Sequence, residues 1–440
     1  MDQFLAQPTT AESVLQLEGL IRAALFRQGA QVVGYLLQAA ADQIDAAYQP
    51  RSKETRKGRE AIKVQCLFGT FVLQRDYYYS MVSGGHYPVD ERLGLDAGYT
   101  PALVRLACLE GADELGFQKA EKHLLETGGI AMEARQIQRL VQRVGPVAQA
   151  WQQREFKPQK TEQKCPKPVP IMYVSADGTG VPMRKEELQQ RKGKQPDGTA
   201  KTRQAYLGCV FTQHKVDEDG HPVRDWESTT YVSSMESIDT FGAMLRAEAR
   251  RRGMASADKL ILLIDGAHGL ENMGAICFKD AIQIVDFYHA VEHAGKVLVA
   301  LLGSKNHPQY ERRRRRWVKR LLKNGVSKLI AATRKEAAGH ACAEAVEKEL
   351  HYFVTNISRM QYGTFRSQGY FIGSGVIEAG CKTIIGSRCK QSGMFWGKPG
   401  VEHILALRCI NASHRDQPFW NHRLTKLATP DPKPPRRRAA

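Results

Sequence analysis

The sequence predicts an α/β protein, in which a mainly helical N-terminal region precedes a mixed sheet flanked by helices. Two observations support this fold class. Before residue 156, leucines, alanines and glutamines recur at helical spacing. After residue 170, short apolar runs typical of strands alternate with helical segments. A chain of 440 residues is also long enough to bury more than one hydrophobic core.

The first region, residues 1–99, predicts helix followed by a hairpin. Residues 11–47 have the spacing of one or two amphipathic helices. An alternating apolar and polar pattern follows, with Gly69 at its bend, and predicts a β-hairpin. Residues 100–155 predict three short helices with start and stop signals. These helices fit a helix-turn-helix-like DNA-binding region and, equally well, a small bundle with a basic face. The side chains offered to DNA would be Arg135, Gln136, Gln138 and Arg139.

The second half of the chain begins after a Lys- and Pro-rich segment, residues 156–170, which predicts a linker. In residues 171–289, three strand-like runs, a helix, a strand, a helix and a last strand follow one another, and this order indicates a mixed sheet. Residues 290–365 predict a helical insertion. Residues 366–415 return to the same domain, and residues 416–440 predict a basic, partly disordered tail.

The composition indicates a globular protein with a large excess of positive charge. Hydrophobic residues make up 42% and charged residues 25% of the chain, and 64 lysines and arginines outnumber 46 acidic residues, for a net charge of +18. Such a charge favours a polyanionic partner, with nucleic acid the first candidate. We expect no membrane association, because the apolar runs are too short to span a bilayer. The N-terminus lacks a signal-peptide pattern, so we expect a cytoplasmic, nucleoid-associated protein.

Two aspartates, Asp177 and Asp265, each end an apolar run at an Asp-Gly pair. If their strands are neighbours, the two carboxylates converge and repel unless a cation lies between them. Carboxylate oxygens suit Mg²⁺ or Mn²⁺, and two such ions can activate an attacking hydroxyl and stabilise a leaving oxygen. Ordinary turn chemistry explains either Asp-Gly pair alone. The matched pair favours a metal site.

A third acid, Glu378, lies in the first turns of the helix predicted for "GSGVIEAGCKTIIGSRCK". Two structural explanations apply to it. A carboxylate near a helix N-terminus interacts favourably with the helix dipole. Glu378 and Lys382 can also form an ion pair one helical turn apart. Spacing alone therefore does not assign Glu378 to a catalytic site.

Four motifs occur in the order found in ISKra-type bacterial insertion-sequence transposases, relatives of the Mutator-like group. They are "ADGTGVP" with Asp177, "IDGAHGL" with Asp265, "IVDFYHAVEH", and "GYFIGSGVIEAGCKTIIGSRCKQSGMFW" with Glu378. The chain resembles this family over most of residues 171–410. The resemblance implies a ribonuclease-H-like mixed sheet with a helical insertion, and a DDE triad of Asp177, Asp265 and Glu378 that binds two Mg²⁺ (or Mn²⁺) ions.

The same resemblance implies a function. The protein would cut DNA at the ends of an insertion sequence and join it to a target, so its partner would be double-stranded DNA of the terminal repeats and target site. Because two ends must be held together, a homodimer or higher oligomer is expected. Asp286 and His289 resemble the D-x-x-H element of Mutator-like enzymes, where they would be accessory residues.

Two other functions remain open. "HAVEH", residues 289–293, matches the H-x-x-E-H motif of zinc metallopeptidases, in which His289 and His293 would bind zinc and Glu292 would act as the base. A catalytically idle DNA-binding protein descended from a transposase is the other alternative. A peptidase leaves the positive charge and the paired aspartates unexplained.

Basic and aromatic residues predict where DNA would bind. Five consecutive arginines extend around a whole helix, so phosphate neutralisation is their simplest function, although the acidic helix of residues 343–353 could also neutralise them. The prediction also includes three cations on or just after the Glu378 helix. Trp396 could stack on an unpaired base, and core packing explains this residue equally well. The predicted DNA-binding residues are Arg312, Arg313, Arg314, Arg315, Arg316, Lys382, Arg388, Lys390 and Trp396.

Overall fold

The computed structural model describes residues 10–154, 169–189, 192–193, 195 and 198–428. These residues form two compact units. The first comprises residues 10–147 with 415–428, and the second comprises residues 148–414. The division falls inside a helix, whereas the predicted linker at 156–170 lies, apart from its last two residues, outside the described residues.

The first unit begins with a long helix on a small antiparallel sheet. Helix α1 (Ala11–Ala47) starts with a capping box in which Thr10 and Ser13 exchange side-chain and backbone hydrogen bonds. Strands β1 (Thr55–Cys66), β2 (Gly69–Ser80) and β3 (Gly84–His86) form the sheet in that order. Gly69 has a φ of +141° at the predicted bend, a conformation that favours glycine.

Five more helices contribute to the first unit: α2 (Pro88–Leu93), α3 (Pro101–Asp113), α4 (Phe117–Gly128), α5 (Ala134–Gln153), which continues into the second unit, and α16 (Asp416–Ala428). The three helices α3, α4 and α5 occupy the stretch that predicts three short helices. Residues 416–428, the first part of the predicted basic tail, form a helix in which Phe419 and Trp420 are buried and Arg423 donates to Asp96 at 2.7 Å. Residues 429–440 lie outside the described residues.

The second unit contains the predicted mixed sheet. Its strands are β4 (Val169–Pro182), β5 (Thr202–Val216), β6 (Pro222–Arg224), β7 (Thr230–Ser234), β8 (Ala257–Ile264) and β9 (Ile282–Val285). The order is β6-β5-β4-β8-β9, and β7 also pairs with β5. The pairs β4–β5, β5–β6 and β5–β7 are antiparallel, whereas β4–β8 and β8–β9 are parallel. The α/β class with a mixed sheet is confirmed.

Alternation along β4 decides which of its side chains leave the main core. Met172, Val174 and Ala176 belong to the core, which they share with residues of helices α6 (Ile238–Arg251) and α7 (His268–Cys277). Because successive side chains of a strand point to opposite faces, Ser175 and Asp177 point to the other face.

A helical segment follows β9, as the sequence predicts. It consists of α8 (Phe287–Leu302), α9 (Tyr310–Leu321), α10 (Val326–Ala337), α11 (Ala343–Asn356) and α12 (Tyr362–Ser367). The chain then forms α13 (Gly375–Gly380), a π-helix (Cys381–Gly386), α14 (Ser387–Cys389) and α15 (Lys398–Ala412). Among the described residues, no helix combines the length and apolar character that a bilayer span requires.

Candidate active site

Asp177 and Asp265 are neighbours at the point where the parallel pairing of β4 with β8 ends. Ala176 of β4 pairs with Ile264, the last residue of β8. Asp177 and Asp265 are the next residues along these strands. Since paired strands lie about 4.8 Å apart, the two aspartates are brought side by side. The two aspartates therefore converge. The predicted strand end at Asp177 is wrong, because β4 continues to Pro182 through its pairing with β5, whereas Asp265 does follow the end of β8.

The environment of Asp265 reflects this proximity. Partial burial and, in addition, the negative charge of Asp177 raise the pKa of Asp265. The backbone amide of Ala267 donates to Asp265 Oδ1 at 2.8 Å, and the hydroxyl of Tyr352 donates to the Asp265 carbonyl oxygen at 3.0 Å. The side chain and the backbone of Asp265 are thus both held in place.

Glu378 belongs to a helix that packs closely on the sheet because its residues are small. A Cβ atom added at Gly380 would lie 2.8 Å from the ring of Tyr231 and 3.1 Å from the side chain of Leu207. Leu207 is the cross-strand partner of Asp177, so both side chains point to the same face. Helix α13 therefore covers the face of the sheet on which Asp177 lies.

The π-helix connects this segment to Asp177 directly. The thiol of Cys381 contacts the Asp177 carboxylate, and burial followed by that negative charge raises the pKa of Cys381. On the next turn, the ammonium of Lys390 donates to the hydroxyl of Thr179, two residues after Asp177. π-Helices are rare and often occur at functional sites. The segment after Glu378 is thus attached to β4 at two points.

A chain of hydrogen bonds through Asp286 and Ser374 positions Glu378. Asp286 is fully buried and begins α8 immediately after β9. Its Oδ2 accepts from the backbone amide of Ser374 at 2.5 Å, and the Ser374 hydroxyl donates to Glu378 Oε1 at 3.0 Å. The Oδ1 of Asp286 accepts from the backbone amide of His289 at 2.6 Å and contacts its Nδ1 at 3.1 Å.

His289 is a cation among acidic groups. Its hydrogen bond to Asp286 raises the pKa of His289 to about 9, and the charges of Asp265 and Glu292 act in the same direction. Burial alone would raise the pKa of Asp286, but the hydrogen bonds from His289 and Ser374 lower it. At neutral pH His289 and Asp286 therefore form an imidazolium–carboxylate pair near Asp265.

Glu378 clusters with the predicted accessory residues, Asp286 and His289, and not with both Asp177 and Asp265. Among the described residues, Asp286, His289 and Glu378 have potential metal-ligand atoms that all lie within 4.8 Å of one another. Within those residues, Asp177, Asp265 and Glu378 do not form such a group, although Asp177 contacts Cys381 and Asp265 interacts with His289. The site therefore consists of an aspartate pair and a Glu378 cluster linked by His289 and Cys381.

The peptidase motif does not assemble a two-histidine site in this structure. The ring of His293 stacks on Tyr352 with centroids 3.7 Å apart, and burial lowers the pKa of His293 to about 4. His289 instead uses its Nδ1 on Asp286. Of the groups of potential metal ligands found among the described residues, none contains both histidines. No contact in this region favours the peptidase alternative.

The arginine block lies on α9, which is anchored by Trp317 and Leu321. Arg313 pairs with Glu336 of α10 at 2.5 Å, and Arg314 lies 3.9 Å from Glu311. The acidic partner is thus on α10 rather than on the helix of residues 343–353. The block borders a cavity of about 400 Å³, whose basic lining residues are Arg312, Arg313, Arg316, Arg320 and Lys328.

Two of the predicted DNA-binding residues, Arg388 and Trp396, are buried, and this corrects the prediction that they contact DNA. Arg388 is only 1% exposed, and its guanidinium lies over the ring of Trp396 at 5.2 Å. Trp396 is also buried and donates its indole N–H to the carbonyl of Cys389 at 3.1 Å. Desolvation lowers the pKa of Arg388 to about 10. Both side chains pack inside the second unit, whereas Lys382 and Lys390 are exposed.

Sequence reasoning missed two residues at the site, Ser374 and Tyr288, and it named Phe395 together with Trp396 as part of a stacking platform. Ser374 connects Asp286 to Glu378, and its only signal is its place between two glycines. Phe395 is the exposed aromatic next to buried Trp396. Tyr288 is also exposed and, with Gly373, lines a cavity of about 670 Å³ beside the start of α13. Exposed aromatics here could stack on nucleic-acid bases.

Comparisons with known proteins give limited relationships. The model of a family described as "Uncharacterised protein family (UPF0236)" matches residues 10–197, which is less than half of the chain and includes Asp177. No curated protein matches. Among solved structures, a chain of the Drosophila P element transposase strand transfer complex is similar at 10% identity and a TM-score of 0.27, over 73% of this chain and 81% of that chain. A likeness this distant carries no inference about the present chain.

Proposed function

We propose that this chain is a DDE-type transposase that binds the ends of an insertion sequence and catalyses divalent-metal-dependent DNA cleavage and strand transfer. The observation that carries the proposal is the convergence of Asp177, within β4, and Asp265, just after β8, on the sheet that Glu378 approaches from α13. A ribonuclease-H-like assignment of the second unit is part of the proposal. It is supported by a sheet in which the first strand, β4, lies next to the fourth long strand, β8.

The side chains at the site fit a hard divalent cation. Burial and, in addition, the negative charge of Asp177 raise the pKa of Asp265, so a cation beside the two carboxylates would be favoured. Carboxylate oxygens are the donors that Mg²⁺ and Mn²⁺ prefer. Burial and the negative charge of Asp177 raise the pKa of Cys381, the soft ligand nearby, which disfavours its thiolate form. Asp177, Asp265 and Glu378 would hold two ions, which supply activation of the attacking oxygen and stabilisation of the leaving oxygen.

Other residues of the chain orient these ligands and the substrate. Asp286 and Ser374 fix the rotamer of Glu378 through two successive hydrogen bonds. The His289 imidazolium places positive charge where a phosphate would approach the aspartate pair. Exposed Lys382 and Lys390 lie on the side of the Glu378 segment that is open to solvent, and could contact phosphates.

Double-stranded DNA is the partner that we propose. The arginine-lined cavity of α9 would neutralise phosphates, and the three helices α3, α4 and α5 would recognise the terminal repeats. Because the proposed reaction joins two ends of one element, the active form would be a homodimer or a higher oligomer on DNA. A catalytically idle descendant would keep these DNA contacts but lack cleavage.

The test is strand cleavage of a labelled duplex that joins the DNA flanking this gene to the element end. Wild type should cleave with Mg²⁺ or Mn²⁺ and stop when EDTA is added. Asp177→Asn, Asp265→Asn and Glu378→Gln should lose cleavage to below detection while binding the same duplex and unfolding at nearly the wild-type temperature. The exposed Glu292, on α8, provides the matched control, and Glu292→Gln should cleave like wild type.

Three outcomes would contradict the proposal. Cleavage by Glu378→Gln at the wild-type rate would remove Glu378 from the catalytic site. Loss of folding in that variant would give Glu378 a structural role instead. Specific DNA binding without cleavage by wild type under any metal condition would favour the idle DNA-binding alternative.

A further inference from the structure

Helix α1 has two apolar faces, and only one of them packs against its own unit. Ala30, Gly34 and Ala41 are buried on the face that contacts β2. A Cβ atom added at Gly34 would lie 2.9 Å from the side chain of Phe71 in that strand. Small residues on this face therefore let the helix approach the sheet.

The second face carries a heptad pattern that is exposed throughout. Its positions alternate at spacings of four and three residues over nearly four heptads, which is the spacing of the core of a coiled coil. All eight side chains are exposed, and six of them are apolar. We call this set the seam: Val14, Glu18, Ile21, Leu25, Gln28, Val32, Tyr35 and Ala39. A continuous exposed stripe of this kind marks an interaction surface more often than scattered exposed side chains do.

We propose that the seam pairs with the seam of a second copy of this chain, with the two α1 helices antiparallel. The polar residues of the seam favour this orientation. In a parallel pair each position faces its own copy, so the two Glu18 carboxylates would meet in the core and repel. In an antiparallel pair centred between residues 26 and 27, Glu18 faces Tyr35 of the second copy, whose hydroxyl can donate to the carboxylate.

The antiparallel register also matches the remaining positions. Ile21 faces Val32 of the second copy, and Leu25 faces Gln28, whose amide lies next to the symmetry axis. The seam spans about 39 Å at 1.5 Å per residue. Exposed Leu15 and Leu36 flank it and add apolar area toward the roughly 800 Å² per partner of a stable interface. The self-complementary pattern points to a second copy rather than to an unrelated helix.

This inference rests on no step of the proposed chemistry, because the seam lies wholly in the first unit and its test requires no DNA. The molar mass of the full chain would be measured by light scattering and sedimentation over a series of concentrations. Wild type should have the mass of two chains. Leu25→Glu places two charges in the core of the pair, so its dimer dissociation constant should rise by about 100-fold or more.

Leu20 provides a matched control on the same helix. It is 70% exposed, compared with 61% for Leu25, but it lies off the seam. Leu20→Glu should therefore remain dimeric. Because both leucines are exposed in a single chain, both variants should fold, and Leu25→Glu should lose only the stabilisation that dimerisation adds. A monomeric wild type, a dimeric Leu25→Glu, or an equal loss of the dimer in both variants would overturn the proposal.

Cross-linking distinguishes the two orientations. A mixture of Ile21→Cys and Val32→Cys chains should form a disulfide-linked dimer on mild oxidation, and wild type treated in the same way serves as the background. Ile21→Cys alone should show no linkage above that background. Efficient linkage of Ile21→Cys to itself would indicate parallel helices and overturn the antiparallel pairing.

Discussion

The Glu378 segment, residues 373–389, and helix α9 are both short helical stretches to which the sequence assigns contacts with DNA, yet they are held in opposite ways. The Glu378 segment is embedded, with Ile377 and Ile385 buried and Ser374 bonded to Asp286. Helix α9 is anchored by a few apolar side chains and presents a cavity lined by arginines. In this chain, the run of arginines on α9 lies largely at the surface, whereas Glu378, the single charge among small residues, is held by a hydrogen bond.

The largest expected effect comes from changing the packing of the embedded segment. Gly380→Val would insert a side chain into space already occupied by Tyr231 and Leu207. Such overpacking costs about 1–3 kcal/mol of unfolding free energy. A displacement of Glu378 by about 1 Å would lower cleavage by roughly 100-fold. Cleavage rates and urea unfolding would measure both effects.

Gly375 supplies the control for this change, because a Cβ atom at its position meets no atom within 4 Å. Gly375→Ala should leave cleavage unchanged and should not lower the unfolding free energy, since alanine favours helix. Equal activity in both glycine variants would show that close packing at Gly380 does not position Glu378.

A smaller loss is expected when Glu378 keeps its place but loses its hydrogen bond. Ser374→Ala removes the hydroxyl that donates to Glu378 Oε1 and retains the backbone amide that bonds Asp286. Removing an outer partner of a metal ligand typically costs about 10- to 100-fold. Cleavage measured against Mg²⁺ concentration should show a higher metal requirement, and Ser374→Thr should restore part of the activity. A purely structural role would change stability without changing the metal requirement.

Changing the exposed Arg316 and changing the buried Arg388 should have different effects on the salt dependence of DNA binding. Arg316→Gln removes an exposed charge of α9, so the slope of log affinity for DNA against log salt should decrease in magnitude by about 1. Arg388→Met alters a buried side chain stacked near Trp396 and should keep the wild-type slope. Its unfolding free energy should fall by roughly 1–3 kcal/mol. A changed salt slope in Arg388→Met would return Arg388 to the DNA-binding residues.

The smallest effect concerns pH and His293, on the helix that leads from the site into the helical segment. Burial against Tyr352, aided by the charges of Lys296 and His289, lowers the pKa of His293 from 6.5 to about 4. The unfolded chain therefore binds a proton that the folded chain does not bind. The stabilisation present above pH 6.5 should be lost progressively as the pH falls toward 4. His293→Phe should lose less stability than wild type between pH 7 and pH 4.5 in urea unfolding; an identical pH dependence would contradict this assignment.

The sequence predicted the mixed sheet and the approach of Asp177 to Asp265, because apolar runs that lead into Asp-Gly are local patterns and the order of strands limits their pairing. It did not predict the link through Ser374, since that contact joins elements far apart in the chain. It misplaced Arg388 because the sequence does not show which cations of the Glu378 segment are buried. The π-helix of residues Cys381–Gly386 has wider turns than an α-helix, and it rotates every side chain after it relative to an α-helical prediction.

That wide turn also sets a limit on changes of chain length. Inserting one residue within 381–386 would rotate the following side chains by about 100°, because the wide turn already holds one residue more than an α-helical turn. Arg388 would then leave its place beside Trp396, and Lys390 would no longer reach Thr179. The exposed turns of the first unit have no comparable constraint. Natural insertions should therefore be absent from residues Cys381–Gly386, even where individual side chains change.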